Sequence, residues 1–361
     1  NINILNPEAT DIDKECNDYE KRINGDIDLC ILGIGRNGHI AFNEPNNRDL
    51  IKTQTRLVKL TKQTMDVNDI NYETALTVGV NTIMSAKKII MIITGNSKKE
   101  IVYDLLYKIR LNPAHYVITH PNHEIILDDE SLDMVYNDLP PFIQDGDKVM
   151  IFSPHPDDDV IGMGATIYKM FKYNVKVKIV YQTSGKGGGD KNIREQEAKD
   201  AIKTLGGTDD NIIFLNLPFY EKRFSMPDTS EHPEPDQFDI LKTLECIEEY
   251  NPDKVFFAGD ILDPNRTHEK CYNILRKISE VDNRYYYLYY SAWGTTNNPS
   301  TINIFNKDIM DKKILSIKNH KSQLNPKYKG DLKGEFYEEV FKKNKKDGFG
   351  GNSFVEKFKL I

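Results

Sequence analysis

The feature that most constrains this chain is the segment DKVMIFSPHPDDDVIGMGATIYKM, residues 147–170. Its apolar run Val149-Met150-Ile151-Phe152 reads as a buried strand ending at Ser153. After the turn, Ile161, Ala165, Tyr168 and Phe171 recur at helical spacing. The cluster Pro154-His155-Pro156-Asp157-Asp158-Asp159 therefore sits at a strand's carboxyl end, where open α/β sheets bind their ligands. His155 and Asp158 are donors of the kind Zn²⁺ takes. Asp157, between them, is free to act as a base toward an attacking water. Three consecutive carboxylates at the mouth of a buried strand repel one another unless a cation is near. An acidic first helical turn, favoured by the helix dipole, also accounts for the aspartates. It leaves the preceding His and Pro unexplained, and the expectation is a metal site.

A chain of 361 residues is long enough for two domains with their own cores. The breaker-rich stretch from Asn137-Asp138-Leu139-Pro140-Pro141 to Gly146-Asp147 divides it. The expected organisation is a first domain over residues 1–137, a linker over 138–146 and a second domain over 147–361. The first domain is expected to open with a helix starting at Asp11 or Asp13. In the second domain strands read at 148–153, 174–183, 211–216 and 253–258. Between them, IREQEAKDAIKTLGG puts Ile193, Ala198, Ala201, Ile202 and Leu205 on one helical face and stops at Gly206. HEKCYNILRKI spaces Cys271, Ile274, Leu275 and Ile278 as a second buried stripe. This alternation predicts an α/β fold, a mostly parallel sheet with helices on both faces.

The loops after the strands then carry the chemistry. Thr183-Ser184-Gly185-Lys186-Gly187-Gly188-Gly189-Asp190 lacks the spacing of a phosphate-binding loop and is expected to be a flexible loop lining a substrate cleft. Gly259-Asp260-Ile261-Leu262-Asp263-Pro264-Asn265-Arg266-Thr267-His268 follows the fourth strand, and His268 opens the next helix. With His155 and Asp158 it makes a two-His, one-carboxylate set that leaves one coordination position open. Alone, His268 reads equally as a surface histidine at a helix start.

In the first domain, DIDLCILGIGRNGHIAFNEP reads as a buried strand running into a glycine-rich turn. Gly33, Gly35 and Gly38 match a dinucleotide fingerprint. Pro45 blocks the helix that would receive a pyrophosphate, and no acidic residue ends a second strand where that motif wants one. No nicotinamide cofactor is expected. The same turn projects His39 and Glu44, with Asn37 able to orient an imidazole. That suits proton transfer to a sugar ring oxygen, and a satisfied loop histidine is the other reading; spacing does not separate them.

A net charge of −7 gives no basic field for nucleic acid. Lys342, Lys343, Lys345 and Lys346 read as a solvated helix end. Cys16, Cys30, Cys246 and Cys271 form no CxxC pair and suit a reducing compartment. The chain holds no run of eighteen apolar residues and no signal-peptide pattern, so a cytoplasmic location without a membrane segment is expected. It begins at Asn1 rather than Met, from which a longer natural chain is expected.

The stretches LGIGRNGHIAFNEP, ALTVGVNTIM and KIIMIITGNSKKEIV resemble the glucosamine-6-phosphate deaminase/isomerase family over about residues 1–137. The resemblance implies a Rossmann-like sheet in which His39 opens the pyranose ring, with Asn37 and Glu44 as its partners and Lys98 on the substrate phosphate. Position 37 is often Asp in that family. Its N-terminal third carries a phosphate loop and an Asp base, whereas NINILNPEATDIDKEC already aligns with its middle. This domain is therefore expected to lack that third and to show no deaminase turnover by itself. Two readings remain: a deaminase/isomerase active only where the natural chain carries that third, or a non-catalytic role in binding sugar phosphates or in forming a homo-oligomer.

PHPDDDVIGMGATI, IREQEAKDAIKTLGG, AGDILDPNRTHEKC and IKNHKSQ resemble the PIG-L/LmbE family of zinc-dependent N-deacetylases, over about residues 147–361. The resemblance implies that His155, Asp158 and His268 bind the metal, that Asp157 is the general base and that Arg194 contacts the substrate. It places His320 near the cleft as support. Asp159 stands where Glu is usual. Asn265 stands where the family often has a His that stabilises the tetrahedral intermediate; Asn can donate a hydrogen bond there but no proton. The expected activity is removal of the acetyl group from an N-acetylglucosamine-type sugar with Zn²⁺, although the donor set also accepts Fe²⁺ or Co²⁺.

Overall fold

A computed structural model describes residues 2–45, 49–217, 235–259, 266–289, 299–324, 336–346 and 352–361. The chain forms two compact units, Asn1–Val135 and Tyr136–Ile361.

The first unit begins with a helix, Ile12–Ile23, capped by the Asp11 carboxylate, which accepts from the Lys14 amide at 2.9 Å. Its strands are β1 (Cys30–Leu32), β2 (Arg56–Lys59), β3 (Thr74–Thr77), β4 (Ile89–Ile93) and β5 (His123–Leu127). β1, β4 and β5 form a parallel sheet with β4 in the middle, and β2 pairs antiparallel with β3. Ile89, Met91 and Ile93 of β4 are buried on one face. On the other face Ile31, Ile92 and Ile126 are 62, 42 and 43 % exposed, with Ile92 opposite Ile126 in register. The parallel α/β organisation is the expected one, and among the described residues these three side chains remain partly exposed on that face. The run IIMII suits a strand buried on both sides, so its pattern alone cannot reveal an open face. Ile92→Lys is expected to change stability by no more than about 0.5 kcal/mol. Met91→Ala, one residue away, is expected to cost about 2–5 kcal/mol; urea midpoints of the two variants check the contrast.

The second unit holds β6 (Lys148–Ser153), β7 (Lys176–Tyr181), β8 (Ile212–Phe214), β9 (Lys254–Ala258), β10 (Tyr285–Tyr289), β11 (Thr301–Phe305) and β12 (Phe354–Leu360). They make one sheet in the order β11-β12-β10-β9-β6-β7-β8. β6 to β10 run parallel, and β12 lies antiparallel between β10 and β11. Alternate residues of β6 enter two separate cores. Val149 and Ile151 pack with Ile161, Met163, Ile179 and Phe256, whereas Met150 and Phe152 pack with Val180, Phe257, Ile274 and Leu275. Both faces are therefore covered by helices, as the doubly apolar strand requires. Of the four anticipated strands, 148–153 appears at its expected bounds and the other three with trimmed ends, whereas β10, β11 and β12 were not anticipated.

The stretch 138–146, expected as a linker, is packed into the second unit. Leu139 and Ile143 are buried in its core, Phe142 stacks near Phe256, Tyr287 and Phe358, and Tyr173 donates its hydroxyl to Asp138 at 2.7 Å. Apolar side chains between the prolines outweigh the breakers here.

The helix Asp158–Lys172 follows β6 and is interrupted at Met163 (φ −141°, ψ 26°). The amides of Ala165 and Thr166 each donate to the Glu356 carboxylate of β12 at 2.9 Å. The Thr166 hydroxyl adds a third bond at 2.6 Å and Lys313 Nζ a fourth at 2.7 Å. The Lys313 and Glu356 side chains are fully buried. A Cβ on Gly164 would stand 3.1 Å from Lys313 Cγ, so the glycine leaves room for the lysine to pass.

Candidate active site

β6 ends in a turn whose backbone aims two donor side chains, His155 and Asp158, at one point. Ser153 Oγ donates to the His155 carbonyl at 2.6 Å, and the His155 amide donates to Asp158 Oδ2 at 2.9 Å. His155 Nδ1 lies 3.2 Å from that same oxygen. His268, from the first turn of the helix Arg266–Ser279, brings Nε2 to 3.2 Å from Asp158 Oδ2 and 3.0 Å from His155 Nδ1. The three atoms make a nearly equilateral triangle.

Bonds of about 2.0–2.1 Å at tetrahedral angles hold neighbouring ligand atoms about 3.3 Å apart. The triangle is slightly tighter than that, and its two-nitrogen, one-carboxylate chemistry suits Zn²⁺. The two imidazole nitrogens converge to 3.0 Å beside one carboxylate oxygen, an arrangement that a shared cation suits. Burial pushes the Asp158 carboxyl up, yet His268 and His155 more than offset this and hold it well below the usual carboxylate range. It is the anionic member of the set. Among the described residues these three form the one group of histidine, cysteine or acidic side chains arranged to hold a metal ion.

Asp157 does not point into the triangle. Its Oδ2 accepts from Arg194 Nη2 at 3.0 Å. Arg194 is only 3 % exposed, and its Nη1 donates to the Gly185 carbonyl at 2.8 Å. The resemblance implied a substrate contact for Arg194, and its guanidinium is instead buried against Asp157. Asp159 points inward. The Tyr181 hydroxyl donates to its Oδ2 at 3.1 Å, and burial pushes its carboxyl up to about 7. Thr183 Oγ1 donates to the Pro154 carbonyl at 2.7 Å, tying the end of β7 to the ligand turn. Neither contact was anticipated; both join residues more than twenty positions apart.

His320 is buried and neither ring nitrogen has a hydrogen-bond partner. Burial lowers its pKa, opposed by the charge of Asp157, so the ring is neutral. Asn265 lies outside the described residues, as does the rest of the loop 260–265.

In the first unit the anticipated cluster is assembled, with different contacts. Asn37 Nδ2 donates to Glu44 Oε2 at 2.7 Å, while its Oδ1 accepts from the His39 backbone amide at 3.2 Å rather than from the imidazole. Glu44 also accepts from the hydroxyls of Thr61 and Thr64. His39 Nδ1 stands 3.7 Å from Glu44 Oε1, beyond hydrogen-bonding range, and is buried with no hydrogen-bond partner among the described residues. Burial lowers the His39 pKa against the pull of Glu44. Lys98 Nζ donates to the Ile34 carbonyl at 2.6 Å.

Two of the three glycines of the dinucleotide-like pattern have local reasons. A Cβ on Gly35 would stand 2.3 Å from His39 Cε1, and Gly38 adopts φ +85° against Asn112.

Residues 150–279 match the family of GlcNAc-PI de-N-acetylases (PIG-L), and residues 1–127 match the family of glucosamine-6-phosphate isomerases/6-phosphogluconolactonases. The chain therefore joins a partial glucosamine-6-phosphate isomerase-type domain to a PIG-L-type domain. Glucosamine-6-phosphate deaminase of Thermoanaerobacter pseudethanolicus is 39 % identical over 147 residues, covering 37 % of this chain and 57 % of that protein. A putative glucosamine-6-phosphate deaminase-like protein of Bacteroides thetaiotaomicron is 25 % identical and covers 74 % of this chain and 63 % of its own length. That match reaches into both units. The chain spans 56 to 60 % of the length of the deaminases it matches. Among solved structures, N,N'-diacetylchitobiose deacetylase from Pyrococcus horikoshii is 23 % identical over 64 % of this chain and 89 % of that one, with a TM-score of 0.47. A monomeric glucosamine-6-phosphate deaminase is 37 % identical over 36 % of this chain and 58 % of that one, with a TM-score of 0.34.

Proposed function

We propose that the second unit is a metal-dependent N-deacetylase that hydrolyses the acetamide of an N-acetylglucosamine-type sugar. The observation that carries this reading is the triangle of His155 Nδ1, Asp158 Oδ2 and His268 Nε2 with a carboxylate, Asp157, beside it. The match to GlcNAc-PI de-N-acetylases supports it. A divalent ion, Zn²⁺ by its donor set, would supply Lewis-acid polarisation of the acetamide carbonyl and an attacking water acidic enough to react near neutral pH.

The protein's own groups do the rest. His155, Asp158 and His268 hold the ion. Asp157 takes the proton of the attacking water on the oxygen that Arg194 does not occupy. The new carbon–oxygen bond forms, the carbon–nitrogen bond breaks, and Asp157 returns the proton to the amine as acetate leaves. Asn265 is positioned by sequence to donate a hydrogen bond to the carbonyl oxygen. Four free cysteines support a reducing, cytoplasmic setting. Among the described residues no helix is long and apolar enough to cross a membrane.

The test combines metal analysis with an assay across N-acetyl sugars and their 6-phosphates. One zinc per chain is expected, lost in His155→Ala and in Asp158→Ala together with activity. A zinc-supplied protein that deacetylates none of these substrates would sink the proposal.

For the first unit we infer a sugar-phosphate-binding role without turnover, supported by His39, Glu44 and Lys98 gathered at one strand end. Calorimetry with glucosamine 6-phosphate should then register binding, while fructose 6-phosphate formation would establish the alternative, an active deaminase.

A further inference from the structure

We propose that Arg194 and the glycine loop Gly185–Gly189 are a positioning device for the Asp157 carboxylate and form no part of the sugar-binding surface. The catalytic meaning of this device rests on the deacetylase reading; its geometry does not.

Arg194 has the wrong exposure for a substrate contact. Only 3 % of it meets solvent, and two of its nitrogens are committed within the protein. Nη2 reaches Asp157 Oδ2 at 3.0 Å and Nη1 reaches the Gly185 carbonyl at 2.8 Å. A planar guanidinium held at two points fixes the direction of each N–H, and so fixes one oxygen of Asp157. The other oxygen carries no hydrogen bond among the described residues, which leaves it available for the proton.

The loop is shaped to this side chain. A Cβ on Gly185 would stand 2.5 Å from Arg194 Nη1, and one on Gly188 would stand 2.9 Å from the same atom. Gly185 also adopts φ +64°, a region that favours glycine. Expected from sequence to be a flexible lining of the cleft, the loop wraps the guanidinium, and Gln323 Nε2 ties it down through the Gly188 carbonyl at 3.3 Å.

The helix Lys191–Thr204 sets the approach. Asp190 caps it, accepting from the Asn192 amide at 2.9 Å and the Ile193 amide at 3.2 Å. Arg194 follows in the first turn and Glu197 one turn on, where its carboxylate accepts from the Ser322 amide at 2.7 Å and hydroxyl at 2.6 Å. One helix face thus holds Asp157 through Arg194 and the turn carrying His320 through Glu197.

The test uses the zinc-loaded full chain with Arg194→Met, Arg194→Lys and Gly185→Ala. Misplacing a reacting group by about 1 Å costs about 100-fold in rate. Arg194→Met is expected to lose kcat on that scale with KM within about twofold and metal content unchanged. Arg194→Lys should recover about a tenth of the loss, keeping the charge without the fork. Gly185→Ala should reproduce the kcat loss by displacing Nη1. A crystal structure of Arg194→Met should find Asp157 rotated away from its position here. An unmoved Asp157 overturns the proposal, as does a KM that rises tenfold at unchanged kcat, the behaviour of a substrate contact. Loss of metal from Arg194→Met also overturns it, because the arginine would then be supporting the ligands. If the unaltered chain deacetylates nothing, the functional reading fails, while the rotation of Asp157 still decides this one.

Discussion

Asp157→Asn is expected to lower deacetylation by about 10²–10⁴-fold while one metal ion per chain stays bound. The substitution removes the proton acceptor with little change of shape. An asparagine oxygen can still accept from Arg194 Nη2, now 3.0 Å from the carboxylate, so the side chain keeps its place. Asp158→Asn makes the informative contrast. Its Oδ2 is the corner shared by both imidazoles and the His155 amide, and losing its charge removes the anionic ligand. There, metal and activity should fall together. Parallel measurement of kcat/KM and of metal per chain separates the two carboxylates, which are adjacent in sequence and opposite in role. An Asp157→Asn protein that turns over at the unaltered rate would move the base elsewhere in the site.

The ligand set was legible because each member is local to a strand end. His155 and Asp158 follow β6 within five residues, and His268 opens the helix after β9. Sequence reading needed only the order of apolar runs to bring those two loops to one sheet edge. Arg194 was not legible in the same way. Its place on a helix was readable, but the target of its guanidinium lies 37 residues away across a loop whose shape depends on Gly185. Its burial was not readable, because a charged residue in a polar helix carries no signal that it is buried. The His39 cluster fell between these cases: the right residues met, yet Asn37 bonds the backbone of His39 and not its ring.

The same distinction runs through the fold. β6 and β9 are nearly unbroken apolar runs and β7 alternates before its apolar end, and such strands announce themselves. β12, FVEKFKL, places Glu356 and Lys357 in its middle, which reads as a half-exposed segment near a lysine-rich helix. Glu356 is buried because β12 is inserted between two other strands, and nothing in its own sequence says so. The sheet's antiparallel end was hidden by one buried charge and the partner that neutralises it.

That charge makes the second large prediction. Glu356→Ala should destabilise the second unit by about 3–5 kcal/mol, since it strands the fully buried Lys313 ammonium. Denaturant midpoints of the unaltered and variant chains measure the loss. A second substitution distinguishes the ion pair from the helix cap. If the pair alone matters, Lys313→Met combined with Glu356→Leu should return close to the original stability, as apolar replacements of buried pairs commonly do. Glu356 also accepts from the Ala165 and Thr166 amides, just past the break at Met163. Each orphaned amide costs about 1–3 kcal/mol. The double variant should therefore remain well below the unaltered protein, and full recovery would show that the interrupted helix satisfies those amides without Glu356.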